Sequence, residues 1–200
     1  MKLKLNITKK GAIISLSVVI AGVLIDFFTK LAVMKNMALG QSIPLIEDVL
    51  HLTFITNKGA AFGSFSDKRW VFMTISTLLI IVLIAIILLW DNANALFYTS
   101  TSLILAGGIG NMIDRIAYGY VVDFIDFCAF PNLWQWIFNG ADSFVCVGAG
   151  MLLLWYILEE VKNYKKAKAQ AIEKLKEEAK AVVKEAIIEA EEEKSKKSEG

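Results

Sequence analysis

Apolar residues fill four long stretches of the chain, Gly11–Val33, Trp70–Trp90, Ala95–Ile113 and Phe138–Leu158. Crossing the hydrocarbon of a bilayer takes about 20 mostly apolar residues in a helix, so each stretch predicts a membrane span. The first does not read as a cleaved leader: its apolar run is too long and no small-residue cleavage site follows. Between spans one and two the period changes. Leu50, Leu52 and Phe54 alternate with His51, Thr53 and Ile55, which suits a short strand. Thr56-Asn57-Lys58-Gly59 is a turn signal, and Ala61–Phe65 is expected to return as a second strand. A small β element over about residues 41–66 is therefore expected on the membrane surface. Beyond Leu158 the texture changes again. Ile172, Leu175, Ala179, Val182, Ala186 and Ile187 recur at helical spacing among Lys and Glu, an amphipathic helix too short to be a coiled coil. Glu191–Gly200 is expected to be disordered. The division is thus a membrane domain, 11–158, and a charged helical tail, 159–200. No internal repeat is visible, so the inverted-repeat signature of many transporters is absent.

Composition agrees with this picture. Of 200 residues, 56% are hydrophobic, and the mean hydropathy is +0.55, too apolar for an ordinary soluble domain of this size. A net charge of +1 gives no reason to expect nucleic acid as a partner. Two cysteines are too few for a disulfide scaffold. His51 is the sole histidine, which argues against a two-histidine zinc protease and against a serine–histidine triad. Lys2, Lys4, Lys9 and Lys10 precede the first span, and Lys162, Lys165, Lys166 and Lys168 follow the last. The positive-inside rule then puts both termini in the cytoplasm. Asp91–Asn94 becomes an inner turn, and Lys35–Arg69 and Asp114–Ile137 lie outside.

Against that topology, four acids stand out: Asp26, Asp114, Asp123 and Asp142. A carboxylate at membrane depth costs roughly 2.5–3.5 kcal/mol by the mildest scale, so such residues mark a site. The topology gathers all four at the outer rim, where separate helices converge. Asp26 and Lys30, spaced i,i+4, can pair, and a structural ion pair is one reading of them. Asn57 through Gly63, with Gly59, permits close backbone approach to a ligand and equally makes a plain hairpin turn. In Gly107–Arg115, Asn111 and Asp114 share a helix face, and Asp114–Arg115 also reads as a helix end with its interfacial anchor. Val121-Val122-Asp123-Phe124 carries an acid in an apolar run that reads as loop, and Asp126 is equally available two positions on. Asn139 with Asp142 imitates a capping box at the start of helix four.

Together these segments resemble the lipoprotein signal peptidase (signal peptidase II) family. The motifs occur in the family's order: Asp26-Phe27-Phe28-Thr29-Lys30, Asn57–Gly63, Gly107–Arg115, Val121–Ile125 and Phe138–Ser143. The resemblance covers Ile25 to about Leu158 and leaves the tail outside. It implies an integral membrane, mainly α fold: a four-transmembrane-helix bundle with a small β-sheet cradle on the outer face. It implies an aspartic endopeptidase of the bacterial inner membrane that cleaves signal peptides from diacylglyceryl-modified prolipoproteins. It also implies Asp123 and Asp142 as the catalytic pair, which chooses Asp123 over Asp126. Asp26, Lys30, Asn57, Gly59, Asn111, Asp114, Arg115 and Asn139 take substrate-binding and supporting roles, with Arg115 expected to fix Asp114 and meet lipid phosphate. Globomycin-type inhibitors and membrane lipids are the implied ligands; no metal or cofactor is expected, and a monomer is. Three other readings compete: an ion-conducting relay through Asp26, Asp114 and Asp142, a lipid-anchored scaffold with a partner-binding tail, and a serine–lysine peptidase using Lys30 with Ser64 or Ser143.

Overall fold

The computed structural model describes residues 5–59, 69–91, 93–129 and 136–198, with side chains to residue 180. Its four long helices are α1 (Lys9–Asn36), α2 (Arg69–Leu89), α3 (Ala95–Ala117) and α4 (Gly140–Ser198), each long and apolar enough to cross a membrane. Side-chain caps start two of them. Gly11 N–H donates to Thr8 Oγ1 and Phe97 N–H to Asn94 Oδ1, both at 3.0 Å, serving donors that a helix start leaves unpaired. Past Arg69, α2 carries no charged residue, and Ile75, Leu78, Leu79, Ile81 and Val82 are exposed on it, as suits a helix with a broad face to lipid. α3 is the most enclosed, with Phe97, Leu105, Ala106 and Met112 buried. Small residues let the helices close on one another. A Cβ added at Gly22 of α1 would lie 2.8 Å from Ala106 Cβ on α3, and one at Gly148 of α4 would lie 2.7 Å from the Ser100 carbonyl of α3.

Above the bundle sits a four-stranded antiparallel sheet in the order β1 (Ser42–Ile46), β2 (Leu50–Asn57), β3 (Val121–Phe127), β4 (Ile137–Phe138). Phe54, Val122 and Phe124 pack with Val33 near the end of α1, which seats the sheet on the bundle. The β2–β3 register pairs His51 with Asp126 and Ile55 with Asp123. A bulge between Leu52 and Ile55 separates those two pairs. Gly119 turns the chain from α3 into β3 with φ +83°, a conformation that favours glycine.

The strand expected at Leu50–Ile55 is present as β2. The expected return strand at Ala61–Phe65 lies outside the described residues. Asp123, expected in a loop, is instead inside strand β3. The run escapes an alternation search because Val121, Val122, Asp123 and Phe124 are all buried, so both faces are covered. Phe138 closes β4 and the helix begins at Gly140, directly after the Asn139 expected as its cap. α3 runs a turn past Ile113 to Ala117.

Residues 155–200 form a compact unit of their own. There the helix runs to Ser198 and is rich in Lys, Glu and Ala, strong helix formers. Pairs such as Lys162–Glu159 at 2.9 Å and Lys180–Glu177 at 2.7 Å line it, exposed and worth a few tenths of a kcal/mol each. Ile172 and Leu175 are exposed.

Candidate active site

The start of α4 organises the site. The Asp142 N–H donates to Asn139 Oδ1 at 2.9 Å, and the Asn139 N–H donates back to Asp142 Oδ2 at 3.2 Å, a reciprocal capping box. The next free donor, the Ala141 N–H, reaches Asp26 Oδ1 on α1 at 2.8 Å. Two carboxylates thus sit at the positive end of one helix.

Asn139 does more than cap. It is fully buried, and its Nδ2 lies 2.7 Å from Asp123 Oδ1, 3.0 Å from Asn111 Oδ1 and 3.2 Å from the Val122 carbonyl. Each of the two central carboxylates then receives a second amide. Asn57 Nδ2 at the end of β2 donates to Asp123 Oδ2 at 3.0 Å, and Asn111 Nδ2 on α3 donates to Asp142 Oδ1 at 2.7 Å. Asn57 is itself oriented by the Gly59 N–H on its Oδ1 at 3.1 Å. Asp123 from the sheet and Asp142 from the helix therefore converge on one shared asparagine. Asp123 is 2% exposed, whereas Asp142 is half-buried and open on one side. Burial pushes the Asp123 carboxyl up to about 6; the Asn57 bond opposes this and the nearby Asp142 charge adds to it.

Beneath the pair, Lys30 is 1% exposed and its ammonium is fully used. It meets Asp26 Oδ2 at 2.7 Å, Asp114 Oδ2 at 2.9 Å and Asn111 Oδ1 at 3.0 Å, three acceptors for three protons. Asp114 Oδ2 also accepts the Val122 N–H at 3.1 Å, which ties β3 to α3. Packing is tight here: a Cβ on Gly110 would lie 2.5 Å from Asp26 Oδ2.

The structure joins Asp26, Lys30, Asn57, Gly59, Asn111, Asp114, Asp123, Asn139 and Asp142 in one network. Arg115 behaves differently from expectation. Asp114 takes Lys30 as its ion partner, while Arg115 Nη1 donates to the Asn111 carbonyl at 3.3 Å and its guanidinium stands 6.0 Å over the Phe72 ring. Asp126 belongs elsewhere, accepting from Thr53 Oγ1 at 2.7 Å. Ser143 Oγ donates to the Asn139 carbonyl at 2.9 Å, and Lys30 has no free valence to activate it, which counts against a serine–lysine pair with Ser143; Ser64 lies outside the described residues. Among the described residues no three His, Cys, Asp or Glu side chains are grouped as metal ligands. Gly110, Ala141 and Val122 lay inside the sequence motifs without a role of their own, and the structure gives each a close contact in the network.

Spanning helices that enclose a buried carboxylate network define a polytopic membrane protein with an acid-based site. The family described as signal peptidase (SPase) II matches residues 18–158. A lipoprotein signal peptidase of Halothermothrix orenii is 42% identical over 143 residues, covering 72% of this chain and 94% of that protein. One from Brevibacillus brevis is 43% identical over 148 residues, covering 72% and 96%. Two solved structures, titled as bacterial membrane enzymes studied by the in meso method, have TM-scores of 0.64 and 0.63 at 32% identity. They cover 82% and 78% of this chain and 96% and 97% of their own. The chain belongs to the signal peptidase II family, a family of aspartic peptidases.

Proposed function

We propose that Asp123 and Asp142 are the catalytic pair of a membrane aspartic endopeptidase that removes signal peptides from prolipoproteins. The observation that carries this reading is the shared Asn139, whose side-chain amide donates to the Asp123 carboxyl of β3 and whose backbone N–H donates to the Asp142 carboxyl of α4. Hydrolysing an amide with carboxyls alone needs water activated by a base and a leaving amine protonated by an acid. Two carboxyls about 3 Å apart cannot both ionise, so the pair holds one proton between them. Deep burial favours Asp123 as the protonated acid, leaving the more open Asp142 to take the proton of the attacking water. The amide nitrogen then receives the Asp123 proton as the C–N bond breaks. Asn57, Asn111 and Asn139 hold the two acids in place, and Asn57, at the sheet's edge of the site, is positioned to meet substrate backbone as well.

The substrate is a prolipoprotein whose cysteine carries diacylglycerol. Its acyl chains fix the scissile bond at headgroup level on the outer face of the bacterial inner membrane, the side to which the positive-inside rule assigns the four acids. Both termini then face the cytoplasm, membrane lipids surround a monomer, and globomycin-type inhibitors compete for the site. The test is to incubate purified protein with diacylglyceryl-modified and unmodified prolipoprotein, with and without globomycin. Cleavage of the modified form alone, blocked by globomycin, is expected; equal cleavage of both forms would refute the lipid requirement.

A further inference from the structure

One of the three contacts of Lys30 is not to an acid. Its ammonium meets Asn111 Oδ1 at 3.0 Å, and Asn139 Nδ2 meets the same oxygen at 3.0 Å. An asparagine amide has two ends that differ only in what they donate or accept. With both donors on Oδ1, the other end must be the NH2, and it points at Asp142 Oδ1 at 2.7 Å. A cation cannot face an NH2 group, so the ammonium excludes the flipped amide, in which the Asn111 oxygen would confront the Asp142 carboxylate. Asn139 alone cannot enforce this, because its Nδ2 has Asp123 and the Val122 carbonyl as alternative acceptors.

We propose that Lys30 is a positioning residue for the reaction: it selects the Asn111 amide orientation that delivers a hydrogen bond to Asp142. This rests on the reading of Asp142 as a catalytic carboxyl. Asp26 and Asp114 have their own part, holding the ammonium in place from α1 and α3. The ion cluster is thus more than a membrane staple, since one of its three arms ends on the amide that holds the base.

The test is a double-mutant cycle built so that no variant leaves a lone buried charge. The reference is Asp114→Asn, in which Lys30 and Asp26 remain a neutral pair. The perturbation is Asp26→Asn/Lys30→Met/Asp114→Asn, also neutral, which removes the ammonium from Asn111. Both are made with Asn111 intact and with Asn111→Ala, and kcat and KM are measured on a lipidated peptide in micelles. With Asn111 intact, losing the ammonium is expected to lower kcat about 30-fold with KM within about twofold. With Asn111→Ala, the same change is expected to alter kcat less than about threefold. Equal losses in both backgrounds, or a loss in KM alone, would overturn the proposal, because a purely structural role does not depend on the amide. Should the triple variant fail to fold, Asn111→Leu serves instead. It removes both the acceptor that Lys30 faces and the donor to Asp142, so a folded protein with kcat down at least about 100-fold and KM within about twofold is expected, and near-normal kcat refutes the idea. Failure of the dyad assignment itself reads out separately, as turnover by Asp142→Asn.

Discussion

Consider Asn57→Ala. Asn57 Nδ2 is one of two side-chain donors on Asp123, at 3.0 Å from Oδ2, and it favours the ionised carboxyl against the burial that has pushed it up to about 6. A hydrogen bond to a charged group contributes about 1.5–3 kcal/mol. Asn57 is half-buried, so the low end applies, and about 1.4 kcal/mol corresponds to about one pH unit. The sign follows from the role of the group. As the acid, Asp123 works only when protonated, so kcat/KM of the free enzyme is present below about pH 6 and declines as pH rises through it. Losing the donor makes the proton harder to remove, and the alkaline limb is expected to move from about 6 to about 7. The assay is kcat/KM against pH with a fluorogenic lipidated peptide in micelles. Thr53→Val is the control: it removes the 2.7 Å bond to Asp126 and is expected to leave the limb where it was. A limb that stays put in Asn57→Ala, or moves to lower pH, would refute the assignment of the shared proton to Asp123.

Other expectations follow from the same geometry. Asp123→Asn and Asp142→Asn should each abolish processing in a folded, inserted protein, checked by gel shift of a prolipoprotein; turnover in either ends the dyad assignment. Gly110→Ala should destabilise by about 1–3 kcal/mol, because the new methyl meets Asp26 Oδ2 at 2.5 Å and that oxygen is pinned by Lys30; an unchanged melting temperature in detergent would contradict this. Removing Lys165–Gly200 should leave in vitro cleavage largely intact, and loss of cleavage would bring the tail into the enzyme.

How legible this was depended on the range of the interaction. The spans were legible because about 20 apolar residues in a row admit few other fates. β2 was legible because Leu50–Phe54 alternates. β3 was not, because it is covered on both faces and carries acids at positions 123 and 126 that break any apolar pattern. At Asn139 and Asp142 the sequence offered a cap or a catalytic acid as rival readings; the geometry shows the cap, and its bonds also hold the carboxyl proposed as catalytic. The partner of Asp114 was illegible, since its sequence neighbour Arg115 was the natural candidate and the actual cation comes from α1. A residue pattern reports what lies a few positions away on one element. Lys30 to Asn111, 81 positions apart, is decided by packing alone.

One further consequence comes from Val122. Its N–H is held by Asp114 of α3 and its carbonyl by the Asn139 amide, so the strand is stitched to the helices by both halves of a single residue. Near Phe127 the strand is held by its β2 and β4 neighbours. The double tie at Val122 falls one residue from Asp123 and adds to the packing of Phe54 and Phe124 on Val33. The carboxyl proposed as the acid thus hangs beside an anchored point of the cradle.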